Sequence, residues 1–428
     1  MMYENEQQKE IVILVAVDTG APDSDVESSL DELAELVKTA GAKEAGRLVQ
    51  KLDGFNPGTY LGKGKIEELR LLISASGATG IVTDDELTPV QMHNLSMELD
   101  TKVMDRTMVI LDIFALHAST AEGKLQVELA QLNYRLSRLT GKGTSMSRLG
   151  GGIGTRGPGE KKLEVDRRAI RSRVAQLRAD IRELTEHRKL TRAGREGSML
   201  PVFAIVGYTN AGKSTLLNTL TGAQILAEDM LFATLDTTTR IYEYARETGK
   251  QRVLLTDTVG FIRKLPHNLI DAFRSTLEEA GYADYIIHVV DASSADMKVN
   301  MKTVYDTLDK LGINERKIIT VFNKTDKLSG DDLSGLFDNR ATRSVRISAK
   351  KAIGIDGLTD AIDELLREDR CYVDTVLAYS QMSLLAQIKQ TGEIEYEEYV
   401  PEGVRIRAFV PKELYGVIEG KDPSLRSG

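Results

Sequence analysis

The octapeptide Gly207-Tyr208-Thr209-Asn210-Ala211-Gly212-Lys213-Ser214 lies directly behind the apolar run Val202–Val206 and directly ahead of the helix-forming stretch Thr215–Leu220. A G-x-x-x-x-G-K-S loop in that strand–loop–helix setting leaves a chain little freedom. The glycines let the backbone curl until successive N–H groups point inward. The helix start behind them adds partial positive charge, which makes the segment a cradle for phosphate oxygens. Lys213 is placed to bridge β- and γ-phosphates and Ser214 to hold Mg²⁺, with Thr215 completing the contact segment.

Three further motifs follow in order, each behind a run of strand length. Asp257-Thr258-Val259-Gly260 follows Val253–Thr256. Its carboxylate can hold the hydration shell of Mg²⁺, and the Gly260 amide can reach the γ-phosphate, so the segment behind it senses hydrolysis. Asn323-Lys324-Thr325-Asp326 follows Ile318–Phe322. The Asp326 carboxylate can accept from guanine N1–H and the 2-amino group. Adenine has no 2-amino group and an unprotonated N1, so it would leave that carboxylate facing a lone pair. Ser348-Ala349-Lys350 follows Val345–Ile347 and offers backbone amides to guanine O6. Each of the later motifs is common alone; in this order they specify a GTP-binding domain of the translation-factor-related class.

Two residues bear on mechanism. Phe261 stands where many GTPases carry the glutamine that orients the attacking water, and a phenyl ring cannot do that. Intrinsic hydrolysis is expected to be slow and to depend on a group supplied from elsewhere. Asn210 has two readings: its side-chain oxygen helps hold K⁺ against the β- and γ-phosphates, or it is there for turn geometry. Equal GTPase rates in K⁺ and Na⁺ would end the first. Spacing alone does not choose the Mg²⁺-binding threonine among Thr234, Thr237, Thr238 and Thr239.

The remainder of the 428 residues is read from pattern and charge. Ile11–Val17, Gly80–Val82 and the helical stretches Ser28–Thr39, Lys65–Ile73 and Pro89–Leu99 predict an α/β domain. Leu125, Leu129, Leu132, Leu136 and Leu139 form one apolar seam, and Leu163, Ile170, Val174, Leu177, Ile181 and Leu184 another, as in two helices that pair. Between them, Gly141–Gly159 holds eight glycines and one proline, which predicts a flexible loop at a hairpin tip. Residues 135–196 carry 17 Lys plus Arg against 7 Asp plus Glu, a charge of +10 in a chain whose net charge is −8. A basic arm on an acidic body presents one element to a polyanion, and Lys142, Arg148, Arg156, Lys161 and Lys162 are its candidate RNA contacts.

After Arg370 the runs Tyr372–Leu377 and Val404–Val410 predict strands of a small C-terminal unit. One cysteine, Cys371, excludes an intrachain disulfide and a Cys-rich metal site. The five histidines have no metal-ligand spacing, and His288 reads as a satisfied core side chain. No apolar stretch reaches the ~18 residues of a membrane span, and Met1–Lys9 is acidic and polar, without the basic n-region that opens a signal peptide. A soluble cytoplasmic monomer with no DNA or membrane role is expected. The fold class is α/β and multi-domain: an N-terminal α/β domain (1–117), a basic antiparallel helical hairpin (118–196, loop 141–159), a Rossmann-like P-loop GTPase domain (200–369) and a small C-terminal α/β domain (370–428).

The chain resembles the HflX family of ribosome-associated GTPases, in the OBG-HflX-like group. The resemblance rests on Tyr60-Leu61-Gly62-Lys63-Gly64-Lys65, Leu111-Asp112-Ile113-Phe114-Ala115, Gly123-Lys124-Leu125-Gln126-Val127-Glu128-Leu129-Ala130, the glycine-rich Gly150–Glu160 and Asp257-Thr258-Val259-Gly260-Phe261. Phe232-Ala233-Thr234-Leu235-Asp236 is similar to the family's first switch segment and selects Thr234 as the second Mg²⁺ ligand. The resemblance spans roughly residues 11–370. It implies GTP hydrolysis to GDP and phosphate, binding to the 50S ribosomal subunit and its rRNA, and a hairpin reaching toward the peptidyl-transferase region. It also implies splitting of stalled or idle ribosomes under stress, with hydrolysis permitting release. Two rivals stand beside this: a GTPase checkpoint in large-subunit assembly, and a regulatory binding protein with GTP as a ligand only.

Overall fold

The computed structural model describes residues 10–20, 25–146, 158–193, 200–222, 231–232, 238–246, 249–264, 280–313 and 316–419. The chain divides into two compact units. The first comprises Met1–Lys189, Asp229–Asp236 and Arg263–Ser275; the second comprises Leu190–Glu228, Thr237–Ile262 and Thr276–Gly428.

The first unit alternates β1 (Ile11–Asp18), α1 (Val26–Thr39), β2 (Lys43–Lys51), α2 (Lys63–Ser76), β3 (Gly80–Thr83), α3 (Pro89–Leu99), β4 (Lys102–Asp105) and α4 (Arg106–His117). The four strands are parallel in the order β2-β1-β3-β4. β1 is an inner strand and apolar from Ile11 to Val17 because helices cover both faces of such a sheet. Local chemistry starts the helices. The Asp25 carboxylate accepts from Glu27 N and Ser28 N, while Thr88 and Gln91 form a capping box with Pro89 at the first turn. A buried charge network completes the unit. Arg106 Nη1 donates to Asp84 (2.8 Å) and Nη2 to Glu32 (2.5 Å), Arg263 donates to Glu32 (3.0 Å), and Lys264 pairs with Asp84 and Asp85. Burial would raise the Asp84 carboxyl, but Arg106 and Lys264 outweigh it and hold the group below its ordinary range.

Two long helices follow, α5 (Ala121–Met146) and α6 (Pro158–Ala193). Leu129, Val174 and Leu177 are buried between them, flanked by Leu125, Leu132, Ile170 and Ile181, so the middle of the expected seam is formed. Glu128 accepts from Arg173 Nε and Nη2 at 2.7 and 2.9 Å. The middle of α5 is fastened by Tyr134 and Arg138, whose hydroxyl and guanidinium both reach Asp105. One expectation is corrected. Helix enters the segment read as a glycine loop: α5 runs on through Gly141 and Gly143 to Met146, and α6 begins at Pro158. A glycine inside a helix costs only about 1 kcal/mol, and proline is suited to a helix's first turn. Leu184, at the far end of the seam, is 36% exposed.

The second unit begins with β5 (Val202–Gly207), α7 (Lys213–Thr221), β6 (Thr238–Arg246), β7 (Gly249–Asp257), β8 (Tyr285–Asp291), α8 (Met297–Lys310), β9 (Lys317–Asn323), α9 (Gly330–Ser334), β10 (Arg343–Arg346) and α10 (Ile355–Asp369). Its sheet has the order β10-β9-β8-β5-β7-β6, parallel except for the antiparallel edge strand β6. Then come β11 (Cys371–Leu377), α11 (Met382–Thr391), β12 (Glu393–Val400), β13 (Gly403–Val410) and α12 (Lys412–Ile418), an antiparallel sheet in the order β11-β13-β12. Val373, Ile388, Val404, Ile406 and Leu414 make its core. The small sheet is joined to the large one where Gln251 Nε2 donates to Gly392 O at 2.8 Å. His288 is a core side chain as expected, but not a satisfied one: Nδ1 has no partner among the described residues, and the ring meets Tyr305 edge-on at 5.0 Å. Among the described residues, no helix is long and apolar enough to cross a membrane.

Candidate nucleotide-binding site

Five parallel strands, β5, β7, β8, β9 and β10, carry their C-terminal ends to one edge of the large sheet. Register aligns them: Ile205 lies opposite Asp257, Gly207 opposite Val289, and Asp291 opposite Asn323. The loops behind these strands therefore meet in the crevice where open α/β sheets take ligands.

At the phosphate end, close backbone approach explains the glycines. A Cβ on Gly207 would lie 2.3 Å from Val289 O, and one on Gly212 2.3 Å from Asn323 Nδ2. Gly212, at φ +94°, starts α7 without a side-chain cap, so the first amides of that helix stay available to an anion. Lys213 Nζ donates to Gly207 O (3.2 Å) and Tyr208 O (2.9 Å). Burial pushes its ammonium down to about 8, while Asp257 pulls the other way. Ser214 Oγ donates to Asp257 Oδ2 at 2.8 Å, so a hydroxyl and a carboxylate converge as a hard cation requires. Thr258 Oγ1 is tied back to Ile205 O at 2.8 Å. Asn210 sits at φ +58°, a left-handed conformation that asparagine tolerates better than most residues.

A main-chain staple closes this end. Thr209 N donates to Phe261 O (2.8 Å) and Phe261 N to Gly207 O (3.1 Å), so Tyr208 and Phe261 form a short parallel bridge. Gly260 is thereby pressed onto the loop: a Cβ there would lie 2.8 Å from Thr209 Cγ2 and 2.9 Å from Lys213 Nζ.

The base end is held by side chains. Asn323 donates from Nδ2 to Ala211 O (2.9 Å) and accepts at Oδ1 from Ala349 N (2.9 Å), joining three motifs through one amide. Lys324 Nζ donates to Asn210 O (2.7 Å) and pairs with Asp291 (2.8 Å). Thr325 Oγ1 donates to Ile347 O, and Ser348 Oγ to Asp326 Oδ1 at 2.7 Å. The Ser348 hydrogen bond, aided by Lys351 at 3.4 Å, holds the Asp326 carboxyl below its ordinary range. Lys350 is exposed.

Sequence reasoning missed the Phe261 staple, Asp291 and Lys351. Main-chain bonds leave no trace in residue type, and Lys351 is one of two adjacent lysines. Of the first switch segment, Phe232 is buried edge-on to Phe114, with ring centroids 4.7 Å apart; Ala233, Thr234, Leu235 and Asp236 lie outside the described residues. Lys142 lies on α5, and Lys161 and Lys162 on α6; Arg148 and Arg156 lie outside the described residues.

Three family models match in succession: "GTP-binding GTPase N-terminal" over residues 27–115, "GTP-binding GTPase Middle Region" over 117–195 and "50S ribosome-binding GTPase" over 202–324. A protein of Lacrimispora saccharolytica named GTPase HflX is 54% identical over 414 residues, spanning 97% of this chain and 96% of that one. The Escherichia coli K12 protein of the same name is 38% identical over 385 residues, 89% of each. A GTP-binding protein from Sulfolobus solfataricus, solved in complex with GDP, is 25% identical. It covers 83% of this chain and 98% of its own, at a TM-score of 0.43.

Proposed function

The chain belongs to the HflX family of GTPases, and from that premise we propose that it binds the large (50S) ribosomal subunit and, in its GTP form, separates stalled or idle ribosomes into subunits under stress. Hydrolysis to GDP and phosphate then permits release. The reading is carried by one juxtaposition: a guanine-nucleotide site and a strongly basic helical hairpin share a chain that is otherwise acidic. A polyanion of ribosomal RNA matches the hairpin, and its affinity would come from counterion release. The cytoplasm is the compartment this function requires.

Within the site, Asp326 reads guanine, the main chain of the Ser348–Lys350 loop faces O6, and Asn323 holds both loops in register. Lys213 and the amides from Asn210 to Thr215 bind the phosphates, and the Gly260 amide takes the γ-phosphate. Ser214 and Thr234 would hold Mg²⁺, with Asp257 behind a bound water; the meeting of Ser214 and Asp257 fits a hard cation. When bound, that ion neutralises developing phosphate charge. A K⁺ ion beside Asn210 would add to it. Because Phe261 cannot orient water, the basal rate is slow and ribosome contact stabilises the hydrolytic arrangement. The first switch segment around Thr234 and the segment behind Gly260 order on γ-phosphate and relax after its loss.

The test is GTP turnover with and without purified 50S subunits in K⁺ buffer, paired with cosedimentation using a non-hydrolysable GTP analogue. Strong stimulation and analogue-dependent pelleting are expected. Deleting Gly141–Gly159 is expected to abolish splitting while nucleotide binding persists. Turnover indifferent to 50S subunits overturns the ribosomal reading and leaves the nucleotide site standing.

A further inference from the structure

The side chain of Thr209 takes no part in the phosphate, Mg²⁺ or guanine contacts. It is the third residue of the phosphate loop and is only 6% exposed, yet its Oγ1 has no hydrogen-bond partner among the described residues. Buried hydroxyls are almost always paired, so an orphan in a loop built to receive a ligand points to that ligand. Its position narrows the role. The Phe261 staple holds the residue's backbone, and its methyl lies against Gly260, which in turn lies against Lys213. Gly260 and Lys213 are the groups at the γ-phosphate end. Thr209 is therefore on the wall shared with both, beside the residue that replaces the usual water-orienting glutamine.

We propose that the Thr209 hydroxyl orients the attacking water, an inference that rests on the GTPase reading and deepens it. Oγ1 accepts a hydrogen bond from the water, fixing its lone pair toward the γ-phosphorus. The new bond forms between water oxygen and that phosphorus. The bond from phosphorus to the β,γ-bridging oxygen breaks, and GDP leaves with the electron pair. The water's proton passes to a γ-phosphate oxygen, giving GDP and inorganic phosphate with no further reactant. A hydroxyl is a weaker guide than a carboxamide with two functional ends, which agrees with slow basal turnover.

The experiment uses the full chain and four proteins: wild type, Thr209→Val, Thr209→Ala and Thr209→Ser. Single-turnover GTP hydrolysis is measured alone and with 50S subunits, beside the affinities for GDP and a non-hydrolysable GTP analogue. Valine keeps the shape and removes the oxygen; alanine guards against a misfit specific to valine. Both are expected to lower the hydrolysis rate about 10²-fold while affinities stay within about threefold, and serine is expected to restore most of the rate. Hydrolysis by the valine and alanine variants at the wild-type rate overturns the proposal. So does a rate loss matched by loss of affinity, or a serine variant as slow as valine, because each assigns Thr209 to packing. A wild-type chain that binds GTP but hydrolyses none, with or without 50S subunits, overturns the GTPase reading itself and this inference with it.

Discussion

The two ends of the nucleotide site are built on opposite plans. At the base end the polar side chains already have partners: Asn323 bridges Ala211 and Ala349, Ser348 holds Asp326, and Lys324 joins Asn210 to Asp291. At the phosphate end a buried ammonium is pushed down to about 8, and a buried hydroxyl has no partner among the described residues. The difference separates recognition from chemistry. A base reader gains from being rigid in advance, because little ordering remains to oppose binding. A phosphate site must leave unmet demand for the charge that will arrive, and it bears that demand as lost stability until then.

If the base end is a preformed reader, removing its carboxylate has the largest effect. Asp326→Ala is expected to weaken GTP binding on the order of 10³-fold, because guanine N1–H and the 2-amino group lose their acceptor together. Asp326→Asn presents a donor instead and is expected to favour xanthosine triphosphate over GTP. Competitive binding of both nucleotides checks this, and unchanged GTP preference in the asparagine variant would remove Asp326 from the base site.

Next comes a stability effect beneath the phosphate end. Burial pushes the His288 imidazole down to about 4, against the pull of the Asp338 carboxylate and with a smaller push from Lys213. An unfolded chain protonates this side chain below about 6.5, whereas the folded chain resists until about 4. Stability is therefore complete above about pH 6.5 and falls as pH drops toward 4, by about 3 kcal/mol for this group alone. His288→Leu should flatten that part of the profile in denaturant titrations between pH 4 and 7. An unaltered slope would mean the ring is not held neutral.

A smaller effect tests the phosphate end directly. Lys213 must be charged to hold phosphates, and in the free protein it loses its proton near pH 8. GTP affinity is expected to be level below that pH and to fall about tenfold per pH unit above it. Isothermal titration from pH 7 to 9.5 checks the break. Affinity that is flat across this range would mean the ammonium is not desolvated before nucleotide binds.

How far the residues announce this arrangement depends on what kind of bond makes it. β1 and α3 are legible because one is an unbroken apolar run and the other opens with a capping box and proline. β2 is not, since it is an edge strand whose Lys43, Arg47 and Lys51 serve the surface; β6 and β12 are hidden for the same reason. The four nucleotide motifs are legible because each needs a particular side chain or the lack of one. The staple between Thr209 and Phe261 is made of main-chain atoms, and nothing in the choice of residue reveals it. The helical hairpin shows both cases: its seam could be read from leucine spacing, but its glycines suggested a longer break than the helices make.

The mildest prediction returns to the base end. Ser348→Ala removes the hydroxyl that steadies Asp326 Oδ1 but leaves Lys351 at 3.4 Å from the other oxygen. The Asp326 carboxyl would move back toward its ordinary range, which still leaves it ionised at neutral pH, so charge is preserved and only orientation is lost. GTP affinity is expected to fall about 3- to 10-fold, and discrimination against ATP to fall with it. If the base end is rigid in advance, the loss should appear as faster dissociation with an unchanged association rate, because the carboxylate is still present to capture guanine but holds it less well. Stopped-flow binding of a fluorescent GTP analogue separates the two rates. A slower association instead would mean that the reader is assembled by the nucleotide, and the contrast between the two ends would then be one of degree.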